Sequence, residues 1–150
     1  MKQHAILRVT SKVLIPYILL FALYVQFHGD YGPGGGFQAG VIFAAGIILY
    51  GLVFGLNAAR IIAPPSVLER LIALGVLIYT GTGVATMLAG GNFLDYTVLQ
   101  YGVFDGTVLA DHLPQGQHLG ILLVELGVGI TVAAVMILIF YSFAGRERSR

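Results

Sequence analysis

Apolar residues in this chain neither alternate nor recur at a helical period; they run on in four blocks. The blocks cover Leu7 to Phe27, Phe37 to Leu56, Leu68 to Ala89 and Leu119 to Phe143. About 20 such residues make about 30 Å of helix, enough to cross the hydrocarbon core of a bilayer. The pattern therefore predicts an all-α, polytopic membrane protein with four transmembrane helices in one integral-membrane domain spanning residues 1–150. Ser11 and Lys12 interrupt the first block, which carries Pro16 in its early turns. The long stem of Lys12 can snorkel to the interface. Lys2, Arg8 and Lys12 before an apolar core could also be the basic start of a signal peptide, but no A-x-A-like site follows.

The breaks between blocks differ in kind. The first runs from His28 to Phe37, and from Gly32 to Gly36 every residue is glycine except Pro33. Such a backbone can take positive φ and approach a neighbour closely, with one dihedral locked by proline. His28, Pro33, Gly34, Gly35, Gly36 and Phe37 are thus candidates for shaping a tight hairpin, with His28 fixing the turn by hydrogen bonding. A phosphate cradle would need a Lys and a Ser or Thr after its last glycine, and Phe37-Gln38 stands there instead. At the second break, Pro64-Pro65-Ser66 is followed by Glu69, so Ser66 and Glu69 read as a capping box. The third, Gly90 to Gly116, holds Phe93, Leu94, Tyr96, Val98, Leu99, Tyr101, Val103 and Phe104. A connection so apolar is expected to pack on the bundle or on a partner.

Small residues are ordered within the helices too. Gly36, Gly40 and Ala44 recur every four residues, and Gly51-x-x-x-Gly55 continues the stripe. With Gly127 and Gly129 in the fourth block, they mark faces where helices can approach almost to backbone contact.

Composition agrees: 57% of the 150 residues are hydrophobic, 10% are charged, and there are 21 glycines and no cysteine. Mean hydropathy is +0.88. The lack of cysteine excludes disulfides, thiolate metal sites, haem attachment and a cysteine nucleophile. Net charge is only +1, but its distribution is informative. Lys2, Arg8 and Lys12 precede the first span, Arg60 and Arg70 flank the second break, and Arg146, Arg148 and Arg150 end the chain. The opposite side carries Asp30, Asp95, Asp105 and Asp111, with His28, His112 and His118 at its edge. By the positive-inside rule both termini are cytoplasmic. The basic residues have no interleaved aromatic pattern, so nucleic acid is not a partner. The external histidines and aspartates lack zinc-ligand spacing, and no metal or other cofactor is expected. No Ser-His-Asp arrangement can be assembled, so the chain does not read as an enzyme.

Glu125 is the one carboxylate deep inside a span, about 9 Å along the helix from Leu119, whereas Glu69 stands at the very start of its block. An acid at that depth either exchanges protons or is held by a partner. Gly129 and Ala133 follow on the same face, which directs Glu125 toward a close helix neighbour rather than lipid.

His28 through Gly40, with the unbroken Pro33-Gly34-Gly35-Gly36-Phe37 core, and Glu125-Leu126-Gly127-Val128-Gly129-Ile130-Thr131-Val132 in the fourth span, resemble the MnhB family of multisubunit Mrp-type Na+/H+ antiporters. The resemblance covers essentially the whole chain. It implies an accessory subunit, in a bacterial or archaeal inner membrane, of a complex exchanging Na+ for H+ under the proton gradient. The partners would be the other subunits and membrane lipid. Similar subunits occur in ion modules of membrane-bound hydrogenases, and a small homo-oligomeric transporter working through Glu125 also fits the residues. Glu125 would then serve as a proton relay or as a subunit anchor.

Overall fold

The computed structural model describes residues 5–29, 34–102 and 116–146. Lys2, Asp30, Pro33, Val103, Phe104, Asp105, Asp111, His112, Arg148 and Arg150 lie outside the described residues. Every regular element among the described residues is helical: α1 (Ala5–His28), α2 (Gly36–Phe54), α3 (Leu56–Ile62), α4 (Pro65–Leu88), α5 (Thr97–Gly102) and α6 (Gly116–Ala144). Four helices, α1, α2, α4 and α6, are long and apolar enough to cross a membrane.

The boundaries differ from the hydropathy pattern where backbone chemistry intervenes. The second block does not run unbroken to Leu56. Gly55 takes φ 103°, a conformation open to glycine, and ends α2 with its N–H donating to the Gly51 carbonyl at 3.0 Å. The chain restarts at once as α3. A Cβ at Gly55 would meet nothing within 4 Å, so this glycine is a helix breaker and not the packing residue its spacing suggested. The Ser66–Glu69 capping box is likewise not formed. Helix α4 begins two residues earlier than that box would start it, with Pro65 in its first turn and Pro64 as its cap, and no side chain bonds the free N–H groups there. Proline suits this position because its fixed φ is already helical and its missing N–H would be unpaired anyway.

Long helices pack in the order α1, α2, α6, α4, so that α6 lies between α2 and α4 and α1 leans mainly on α2. Two close crossings set this order. A Cβ on Gly40 would lie 2.7 Å from the Gly129 carbonyl oxygen, and one on Gly127 would lie 2.8 Å from that of Gly75. Neither crossing has room for a methyl group. Thr131 donates to the Gly127 carbonyl at 2.8 Å within the same contact. The buried core sits nearer the end where α2 stops, and comprises Ala44, Ile47, Ala59, Leu68, Ala134, Ile137 and Tyr141. The Tyr141 hydroxyl donates to the Ala63 carbonyl at 3.1 Å, tying α6 to the break before α4.

The described basic side chains gather at this same end. Arg8 lies over the Phe54 ring at 5.4 Å and Arg60 over the Tyr141 ring at 5.8 Å. At the far end the connection after α4 is pinned to the bundle by Thr86, which is fully buried. Its hydroxyl faces the carbonyls of Gly83 (2.8 Å) and Asn92 (3.1 Å) and accepts from the Leu94 N–H at 3.0 Å. Phe93 packs on Gly83, Tyr96 on Gly120, and Leu99 is buried. The apolar character of this connection is therefore directed at the bundle itself, as far as Leu99.

Candidate functional site

The glycine-rich hairpin and Glu125 are about 90 residues apart in sequence, and the fold brings them together. At the far end of the bundle, Gly29 at the end of α1 and Gly35 and Gly36 at the start of α2 lie against α6. A Cβ on Gly29 would be 2.6 Å from the Glu125 Oε1 atom, and one on Gly35 would be 3.1 Å from it. A Cβ on Gly36 would fall on the Glu125 carbonyl oxygen. The carboxyl thus occupies space that side chains at 29 and 35 would otherwise fill.

Each glycine has its own reason to be there. Gly35 adopts φ 111° and ψ 178°, a region essentially closed to other residues. Its N–H reaches the Val25 carbonyl at 3.4 Å, and its carbonyl accepts from Ala39 at 3.1 Å to open α2. Gly34 lies so close to the Val25 carbonyl that a Cβ would be 2.9 Å away. Gly36 lets the first turn of α2 touch the backbone of α6. Beside Glu125, then, is a helix start, where first-turn N–H groups lack intrahelical acceptors and the helix dipole favours negative charge. Glu125 is half-buried.

Of the other sequence candidates, His28 ends α1 with its ring stacked on Tyr24 at 5.2 Å. Phe37 points outward from α2, 61% exposed. Gly51 lies against Phe140 and Ala59, so the Gly36, Gly40, Ala44 and Gly51 stripe faces α6 as a series. His118, in the first turns of α6, is separate from the Glu125 cluster in sequence by about two helical turns. Among the described residues no three His, Asp or Glu side chains converge as metal ligands would.

Gln26 is the residue that sequence reasoning passed over. Its side chain is only 6% exposed, and Oε1 packs on Gly129, where a Cβ would lie 2.5 Å away. Gly129 is one helical turn beyond Glu125, so the amide lies one turn deeper along α6 than the carboxyl. The Nε2 atom of Gln26 is buried without an acceptor. A neutral polar residue one position before the end of an apolar run raises no alarm in hydropathy; the available signal was its spacing of four from Ala22, which is also buried.

Residues 6–138 match the family described as a domain related to the MnhB subunit of the Na+/H+ antiporter. Among similar proteins, the Na(+)/H(+) antiporter's B-type subunit from Alkalihalophilus pseudofirmus is 33% identical over 129 residues, 85% of this chain and 88% of that protein. A candidate antiporter subunit, mnhB2, of Staphylococcus epidermidis is 31% identical over 146 residues, 97% and 98% of the two chains. Its counterpart in Staphylococcus aureus is 31% identical over 147 residues, again 97% and 98%.

Proposed function

This chain belongs to the family of domains related to the MnhB antiporter subunit, and from that premise we propose that it is a membrane subunit of a multisubunit Na+/H+ antiporter. The observation that carries the proposal is the match over residues 6–138, with relatives named as antiporter subunits aligned over nearly their whole length. The structure adds a physical reason for partners. Large apolar side chains are exposed along every span, among them Phe21 at 54%, Leu52 at 56%, Leu77 at 68% and Phe143 at 76%. These surfaces suit lipid and neighbouring helices and nothing aqueous.

Within such a complex the chain works as a scaffold that places a carboxyl at the turn of a helical hairpin. Glu125 holds the facing ends of α1 and α2 against α6: its side chain fills the hollow left by Gly29 and Gly35, and its backbone meets Gly36. A carboxyl so placed can anchor the hairpin, or can pass protons to a pathway in a neighbouring subunit while the glycine cradle keeps its position fixed. Sodium and protons are the ions moved by the assembly. Both termini face the cytoplasm of a bacterial or archaeal cell, because the basic residues cluster on the side where α1 begins and α6 ends.

The test is purification in mild detergent through a tag on this chain, with mass spectrometry of the eluate and Na+-dependent proton exchange measured in everted vesicles. The expected result is co-elution of antiporter subunits, and loss of exchange when this gene alone is deleted. Recovery of this polypeptide by itself, with exchange intact in the deletion strain, would overturn the proposal.

A further inference from the structure

Where α6 ends, a cleft of about 460 Å³ opens beside α3, lined by Arg60, Tyr141, Ser142, Phe143, Gly145 and Arg146. Two guanidinium groups border it and, among the described residues, no carboxylate does. Arg60 is held from two sides. Its guanidinium carbon lies 5.8 Å from the centre of the Tyr141 ring, and a Cβ on Gly145 would come within 2.8 Å of its Nη2 atom. Tyr141 is itself fixed, since its hydroxyl donates to the Ala63 carbonyl just past α3. A cation–π contact consumes none of the guanidinium's N–H donors, so they stay free for the paired bonds that this group makes to an oxyanion. The Ser142 hydroxyl donates to the Leu138 carbonyl at 3.0 Å, which leaves the two arginines as the side-chain donors of the cleft.

Helix α6 has 29 residues, about 43 Å, the thickness of a bilayer with its headgroups rather than of the hydrocarbon alone. Its last turn, and the cleft with it, therefore stands at headgroup level. Phe143, 76% exposed, gives the cleft an apolar side. The segments at this end carry all eight basic residues of the sequence against two acidic ones, Glu69 and Glu147.

From this combination we infer that the cleft at the end of α6 binds the phosphate of an anionic phospholipid, with Arg60 and Arg146 on the phosphate oxygens and Phe143 against the glycerol and first acyl carbons. The inference requires that the chain spans a bilayer; it adds a ligand to the proposed function and does not depend on the antiporter partners. Soluble phosphate offers the same oxygens, but it has no apolar part to lay on Phe143, and lipid phosphates fill the layer in which the cleft stands. Basic residues at the membrane surface favour an anionic headgroup over a zwitterionic one by about fivefold each.

The chain has no tryptophan, so Phe143→Trp places a single fluorescent reporter at the cleft. The full-length chain carrying it is reconstituted in mixtures of phosphatidylglycerol and phosphatidylcholine, with one lipid or the other brominated on its acyl chains. Quenching then gives the relative occupancy of the cleft by each lipid. The expected result is a preference for phosphatidylglycerol of about tenfold or more, lowered about fivefold by Arg60→Gln or by Arg146→Gln. Arg8→Gln changes a basic residue at the same end that lies over Phe54 and does not line the cleft, and should leave the preference within about twofold. Excess inorganic phosphate at matched ionic strength should leave it unchanged. Circular dichroism checks that each variant is folded; Arg146 lies exposed beyond the end of α6, so its variant tests the site even if Arg60→Gln unfolds the chain. Equal quenching by the two lipids, or a preference that survives Arg146→Gln, would overturn the inference. So would an equal loss in Arg8→Gln, which would mean diffuse surface charge, or displacement by inorganic phosphate, which would mean a site for a soluble anion.

Discussion

Gly40→Ala and Gly81→Ala make a matched pair, because both glycines lie within long helices and only one has a neighbour. At Gly81 a Cβ would meet nothing within 4 Å; at Gly40 it would lie 2.7 Å from the Gly129 carbonyl oxygen and 2.9 Å from the Val132 Cβ. Neither contact can be relieved by turning a flexible side chain, since one atom is backbone and the other is fixed to it. To bring both back to ordinary distance, α2 and α6 must part by about 0.5 Å, a gap at which dispersion contacts lose roughly a quarter of their depth. Overpacking of this sort costs about 1–3 kcal/mol. Against it stands the gain of about 1 kcal/mol from Ala over Gly in a helix, which Gly81→Ala reports by itself. The difference between the two variants isolates the packing effect, and it amounts to roughly a five- to hundredfold difference in unfolded fraction. Reversible SDS titration followed by far-UV circular dichroism measures both. Gly81→Ala should shift the midpoint up and Gly40→Ala should fall well below it. Equal shifts would mean that α2 and α6 are not in backbone contact at this crossing, and the helix order built on that contact would be wrong.

Glu125→Gln keeps the shape of the carboxyl and abolishes its titration; if Glu125 only anchors the hairpin, exchange in everted vesicles should survive within about twofold, whereas a relay acid would lose about 10²-fold or more. Thr86→Val is nearly isosteric but leaves the Leu94 N–H and the Asn92 carbonyl without their hydroxyl partner. It should cost about 1–3 kcal/mol and open the connection after α4 to protease while α6 stays protected. Tyr96, which lies in that connection outside the spans, has its phenol raised above the ordinary 10.0, first by burial and then by the Tyr79 phenol. Burial favours the neutral phenol, so its contribution to stability is complete below pH about 10 and is lost as pH rises through the higher folded value. Absorbance at 295 nm during alkaline titration should show a late phenol step that disappears in Tyr96→Phe; an unchanged profile would contradict this placement.

The presence of four spans was legible in the residues because a transmembrane helix is a local sum: enough consecutive apolar side chains satisfy the bilayer whatever lies elsewhere in the chain. The same holds for the gathering of arginines at one end and for the glycine-rich turn, whose backbone freedom is a property of the residues themselves. Glu125 could likewise be singled out, since a carboxylate inside a span is conspicuous without a structure. Spacing alone failed at Gly55, where four-residue periodicity suggested packing and a positive φ made a break, and at Ser66, where a proline in the first turn set the helix start in place of a cap.

Only the tertiary structure decided what these parts face. The order α1, α2, α6, α4 depends on which glycines meet, Gly40 with Gly129 and Gly75 with Gly127, and a pairing between helices leaves no trace in either helix by itself. That order puts Glu125 against Gly29 and Gly35 rather than against a helix of unknown origin, and turns Gln26 from an ordinary residue near the end of a span into a buried amide packed on Gly129. Hydropathy records the free energy of each residue against its solvent. The position of a hydrogen-bonding group relative to its partner is a property of two backbones at once, and folding is what brings them into register.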